Sequence, residues 1–64
     1  MPKFQIITTS GRSYGHGESR WFDMFSTTQT LESYDHEGDY VVLRYSNGIK
    51  DAIPEAQVAH IITA

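Results

Sequence analysis

Asn47-Gly48, set between the apolar runs YVVLRY (residues 40–45) and IKDAI (residues 49–53), constrains this chain more than any other feature. A two-residue loop of this kind needs φ > 0 at both positions, which Asn and Gly tolerate best, so the pair marks a β-hairpin. With that loop, Ser46 opposes Ile49, Arg44 opposes Asp51 and Leu43 opposes Ala52. The register predicts an Arg44–Asp51 ion pair across the strands, worth about 0.2–1 kcal/mol. Downstream, Ile53-Pro54 reads as a corner, PEAQ (54–57) as one tight helical turn and VAHIIT (58–63) as a closing strand. An antiparallel β protein follows, its last strand folded over its own hairpin.

The upstream half is less regular. FQIITT (4–9) is rich in β-branched residues and reads as a strand, with Pro2 ahead of it where a missing backbone donor does no harm. SGRSYGHG (10–17) holds three of the five glycines and reads as a turn or flexible loop. Residues 18–30 read as strand or loop, since the Ser- and Thr-rich run after Phe25 disfavours a helix. Residues 31–36 pair with 40–46 across Glu37-Gly38-Asp39, in either of two registers. With Glu37-Gly38 as the loop, Tyr34 faces Val41; with Gly38-Asp39, it faces Leu43. Both place Tyr34 on the face of Val41, Leu43 and Tyr45.

Sixty-four residues without cysteine make one domain (1–64) with one small core and no disulfide framework. Most of the eight aromatics must then be structural. The net charge of −3, with Lys3, Arg12, Arg20, Arg44 and Lys50 scattered, disfavours nucleic acid as a partner. No run is long enough to span a bilayer and MPKFQII lacks the pattern of a signal peptide, so a soluble, cytoplasmic and complete small gene product is expected.

The tail DAIPEAQVAHI (51–61) resembles the end of Src-homology-3-type small barrels. There an apolar residue and Pro lead into one helical turn and a short last strand that begins with Val. Ile53, Pro54, Val58, Ala59 and Ile61 match that pattern over about a third of the chain. The resemblance implies an all-β, mainly antiparallel fold: a bent barrel of five or six strands, a short helical turn near 54–57 and a long first loop near residues 10–23. The peptide-binding residues of that family have no counterpart here, because SGRSYGHGESRWF carries one Trp and few carboxylates. Proline-rich peptide binding is not implied.

Two regions are candidate sites. Tyr14, His16, Glu18, Arg20 and Trp21 sit in the glycine-rich loop and combine a switchable base, an acid, a fork donor and large apolar surface. Trp21, Phe22 and Phe25 could instead fill the core, although neighbouring strand positions cannot all face inward. Glu32, Asp35, Glu37 and Asp39 place four carboxylates within eight residues, either an acidic edge for a basic partner or a solvated tip that blocks aggregation. His16, Glu18, Asp23, His36 and His60 are ligand types without the fixed spacing of a metal motif, so no metal or cofactor is expected. His60 reads as a partly buried strand residue.

No nucleophile elbow, catalytic Cys or phosphate-binding glycine loop is present, which points away from an enzyme. The expected function is a non-enzymatic protein-binding module that occupies a surface of a larger partner. By size, standalone acidic mini-proteins of this sort resemble accessory or phage-encoded regulators. Two alternatives stand beside it. One is nucleic-acid binding by Tyr14, Trp21 or Tyr45 with Lys3, Arg12 and Arg20. The other is a structural subunit that self-associates through its first or last strand.

Overall fold

A computed structural model of the chain describes residues 3–64, so the reading of Pro2 falls outside the described residues. Seven strands follow in order: β1 (Phe4–Thr8), β2 (Ser13–Gly15), β3 (Ser19–Phe22), β4 (Thr27–Glu37), β5 (Tyr40–Tyr45), β6 (Lys50–Pro54) and β7 (Val58–Thr63). Single 3-10 turns occupy Ser46–Gly48 and Glu55–Gln57, the latter where the sequence predicts it. The strands are antiparallel and form two sheets, β2-β1-β7 and β3-β4-β5-β6. The fold is all-β, with one sheet curled into a half-barrel. Five or six strands were expected; β2 and β3 bring the number among the described residues to seven and convert half of the anticipated first loop, residues 10–23, into paired structure.

The curl has a local origin in β4. Its first residues, Thr27 to Thr30, pair with β3, whereas Leu31 to Glu37 pair with β5, and the register shifts between Leu31 and Ser33. The extra residue there is Glu32. Such a bulge bends a strand and increases its twist, so the sheet turns at the point where β4 changes partner. Backbone bonds from Gly17 N–H to Leu31 O (2.8 Å) and from Leu31 N–H to Glu18 O (3.0 Å) tie the β2–β3 connection onto that bend.

Between the sheets, Phe4, Ile6, Leu31, Val41, Leu43, Tyr45, Ile49 and Ile53 form the core. Tyr34 opposes Leu43, so Gly38-Asp39 is the loop, and Tyr34 joins the core edge with its ring against Phe4 (centroids 4.8 Å apart).

The β5–β6 register differs from expectation by one residue. Asn47 (φ 62) and Gly48 (φ 75) do take positive φ, but Ser46 joins the loop and Tyr45 N–H donates to Ile49 O at 2.7 Å. Arg44 therefore opposes Lys50, Leu43 opposes Asp51 and Val42 opposes Ala52. The Arg44–Asp51 pair does not form. The reason is packing: the two-residue loop would put Ile49 and Ile53 on the face of Val42 and Arg44. The longer loop puts both on the face of Val41, Leu43 and Tyr45, where they are buried. Burying two Ile side chains, at about 1.5–3 kcal/mol each, outweighs an exposed ion pair.

A second irregularity lies in the first sheet. Ile7 opposes His60 but Thr8 opposes Val58, leaving Ala59 as an extra residue in β7. Val58 therefore packs on the core while His60 and Ile62 face out, and His60 is exposed rather than partly buried. Among the described residues, no helix is long and apolar enough to cross a membrane.

Candidate functional site

The register shift that buries Ile49 and Ile53 carries Asp51 inward with them, onto the core face of β6. A carboxylate there needs a partner. Arg20 supplies it from β3, the opposite edge of the curled sheet, with Nη1 2.7 Å from Asp51 Oδ2 and 3.3 Å from the Tyr45 hydroxyl. The guanidinium lies over the rings of Phe22 (4.8 Å), Tyr45 (5.6 Å) and Tyr14 (5.8 Å). Burial works against its charge, yet the bonds to Asp51 and Tyr45 hold its pKa above the ordinary arginine value. Tyr45 is itself pushed up, because burial disfavours the phenolate more than Arg20 favours it.

Around Arg20 the surface is concave. A cleft of about 210 Å³ is lined by Arg12, Tyr14, Glu18, Arg20, Leu31 and Tyr45 among others. A second, of about 340 Å³, shares Arg12, Tyr14 and Arg20 and adds Asp51 and Gln57. The Glu18 carboxylate lies where a Cβ at Gly15 would stand, so that glycine gives the acid its place. Of the five loop candidates, Tyr14, Glu18 and Arg20 line this cleft together, with Arg20 already paired to Asp51.

The other two loop candidates lie elsewhere. His16 packs against Phe4 (centroids 5.3 Å apart), and its Nδ1 accepts the Lys3 backbone N–H at 3.3 Å. Trp21 alternates with Arg20 and Phe22 and so faces outward, its indole N–H donating to Asp23. The tight turn that follows is closed by Phe25 N–H to Phe22 O (3.2 Å) and Ser26 N–H to Asp23 O (3.3 Å). Three large apolar residues stand in water here: Trp21 at 56%, Met24 at 86% and Phe25 at 55% exposure. Met24 and Phe25 were absent from the sequence candidates. Their signal, had it been used, is an apolar pair between Asp23 and Ser26, two good turn residues.

The acidic group does not present four free carboxylates. Asp35 and Glu37 lie on the outer face of β4, and Arg44 reaches both, its Nη2 3.1 Å from Glu37 Oε2 and its Nε donating to Asp35. The bond to Asp35 raises the Arg44 pKa. To make these contacts the Arg44 stem must run back over Val42, which is only 7% exposed although it faces away from the core. Glu32 sits in the bulge, and Asp39 lies in the turn, its carbonyl accepting Glu55 N–H at 2.8 Å. Among the described residues no three His, Asp or Glu side chains are grouped to hold a metal ion.

For base stacking, Tyr45 is buried and Arg20 is engaged with Asp51, so two of the six groups considered for nucleic acid are committed internally. Comparison with protein-family models, with curated proteins and with solved structures finds no match.

Proposed function

We propose that this chain is a non-enzymatic protein-binding module, a small β domain of Src-homology-3-like build that seats its β3–β4 hairpin tip on a larger partner. One observation carries the reading: Trp21, Met24 and Phe25 stand exposed within five residues on a turn whose backbone is closed by hydrogen bonds. Full burial of a large apolar side chain is worth about 1.5–3 kcal/mol, so leaving Met24 mostly and Trp21 and Phe25 about half in water forgoes a sizeable part of it, a heavy loss for so small a core. Clustered exposed apolar surface of this kind marks an interaction site, and Trp is the residue most enriched at interface hot spots. The partner surface that fits is an apolar pocket, with a hydrogen-bond acceptor for the Trp21 indole N–H once Asp23 yields it.

The two recognition candidates separate in a capture experiment. Immobilised wild-type protein is compared with Trp21→Ala/Phe25→Ser and with a variant neutralised at Glu32, Asp35, Glu37 and Asp39. The proposal expects a partner retained by wild type and by the acid-neutralised variant, and lost with the tip variant while its circular dichroism stays native. Equal capture by the tip variant sinks the reading. Binding of single-stranded DNA or RNA that falls steeply with salt would move the assignment to nucleic acid.

A further inference from the structure

We infer that β7 is a self-pairing edge through which two copies of this chain join antiparallel about a two-fold axis. The four sheet edges differ in how they are guarded. β2 is three residues long and preceded by Arg12, β3 carries Arg20, and β6 carries Lys50 and Asp51 and ends at Pro54. Short length, charge and proline are the usual means by which an edge resists a further strand. β7 has none of these three: Val58–Thr63 is six residues long with no Lys, Arg, Asp, Glu or Pro, and its one bulge, at Ala59, lies near its start and leaves His60–Thr63 as regular strand. Among the described residues nothing pairs with its outer side.

The backbone specifies the register. Ala64 N–H donates to Lys3 O at 2.9 Å, so Ala64 points its backbone groups at β1. Alternation then turns those of Ile62 to β1 and those of Ile61 and Thr63 to the open side. A two-fold axis at Ile61 lets the two Ile61 residues exchange both bonds, and brings Thr63 opposite Ala59 of the second copy. In that register His60 opposes Ile62 of the second copy, covering an isoleucine that is otherwise 52% exposed. Charge favours the same choice. A two-fold interface sets each charge against its own kind, which a chain of net charge −3 tolerates only where the contact is neutral, as β7 is. The two three-stranded sheets become one continuous sheet, remote in sequence from the β3–β4 tip.

Analytical ultracentrifugation of the full chain from micromolar to millimolar concentration tests this. Wild type is expected to show a reversible monomer–dimer equilibrium. Thr63→Pro removes a donor that faces away from β1 and so spares the intramolecular ladder. In the dimer it deletes two symmetry-related bonds, raising the dissociation constant about 10- to 100-fold. Ile62→Lys, at an exposed side chain, should weaken the dimer as well and carries the test if the proline variant fails to fold. Trp21→Ala should leave the equilibrium unchanged, which keeps this inference separate from the hairpin-tip reading. A wild type that stays monomeric throughout overturns the inference, as does dimerisation of natively folded Ile62→Lys at wild-type strength. Amide exchange gives a second readout: Ile61 and Thr63 N–H should gain protection as concentration rises, and persistent fast exchange at both counts against it.

Discussion

The β5–β6 and β3–β4 hairpins belong to one curled sheet, yet they use apolar side chains in opposite ways. In β5–β6, Val41 faces Ile53 and Tyr45 lies beside Ile49, and all four are buried. The turn itself adjusts, taking in Ser46, so that this alignment is reached. At the tip of β3–β4 only Phe22 turns inward, edge-on to Tyr45 at 4.9 Å, while Trp21, Met24 and Phe25 remain outside. Hydrophobicity alone does not distinguish the two tips. What differs is whether the chain supplies an opposing surface: side chains of β1 and β7 pack on the first, whereas Trp21, Met24 and Phe25 stay more than half exposed. The first hairpin serves stability, and the second presents the apolar surface that the proposed function assigns to recognition.

The sharpest way to break this contrast is to remove one apolar side chain from each hairpin. Leu43 is fully buried at the centre of the core, so Leu43→Ala should cost about 3 kcal/mol in urea denaturation. In so small a domain that approaches the whole of its stability. Phe25→Ser should shift the same curve by no more than about 0.5 kcal/mol, the usual range for an exposed site. A loss at Phe25 comparable with that at Leu43 would mean that the tip is part of the core after all.

The two ion-pair networks repeat the contrast at smaller scale. Arg20 and Asp51 are about two-thirds covered, and removing Arg20 strands a carboxylate on the core face of β6. Arg20→Met should cost about 1–2 kcal/mol once solvent screening of the pair is allowed for. Asp51→Asn added to it should recover part of that loss, since the second change removes the orphaned charge. Arg44→Met, on the solvated outer face with Asp35 and Glu37, should cost less than Arg20→Met under identical conditions. If the order is reversed, the cover that Arg44 gives Val42 matters more than the half-buried pair.

Much of the fold was legible in local pattern. The β-branched run of β1, a turn within Glu37-Gly38-Asp39 (though not which two residues form it), the positive φ at Asn47 and Gly48, and the Pro54 corner all act within a few residues of themselves. The β5–β6 register was misread because the turn was weighed ahead of the alternation. Yet the parity that sets Ile49 and Ile53 beside Val41, Leu43 and Tyr45 was present in the sequence. The site was less legible for a different reason. Arg20 and Asp51 are separated by 31 positions and meet only because β4 bends at Glu32, a non-local event with no local sign. Tyr14, Glu18 and Arg20, grouped because they are close in sequence, do line one cleft. Trp21 was grouped with them for the same reason, although alternation along β3 places it on the other face.

The smallest effect concerns Tyr45, where the core meets the Arg20–Asp51 pair. Burial pushes its hydroxyl pKa above the ordinary value, against the pull of Arg20. While the pH lies below the unfolded value of about 10, tyrosine is protonated in both states and adds no pH dependence. Above it the unfolded chain releases the proton first, so the unfolded state gains and stability falls as pH rises toward the folded pKa. Tyr45→Phe removes that contribution at the cost of one hydrogen bond to Arg20, about 0.5–1.5 kcal/mol at neutral pH. Urea midpoints measured between about pH 9 and pH 11, the range in which tyrosine titrates, should therefore decline less steeply for Tyr45→Phe than for wild type. Parallel declines would show that water reaches the hydroxyl freely. The Arg20 network would then belong with the exposed tip rather than with the core.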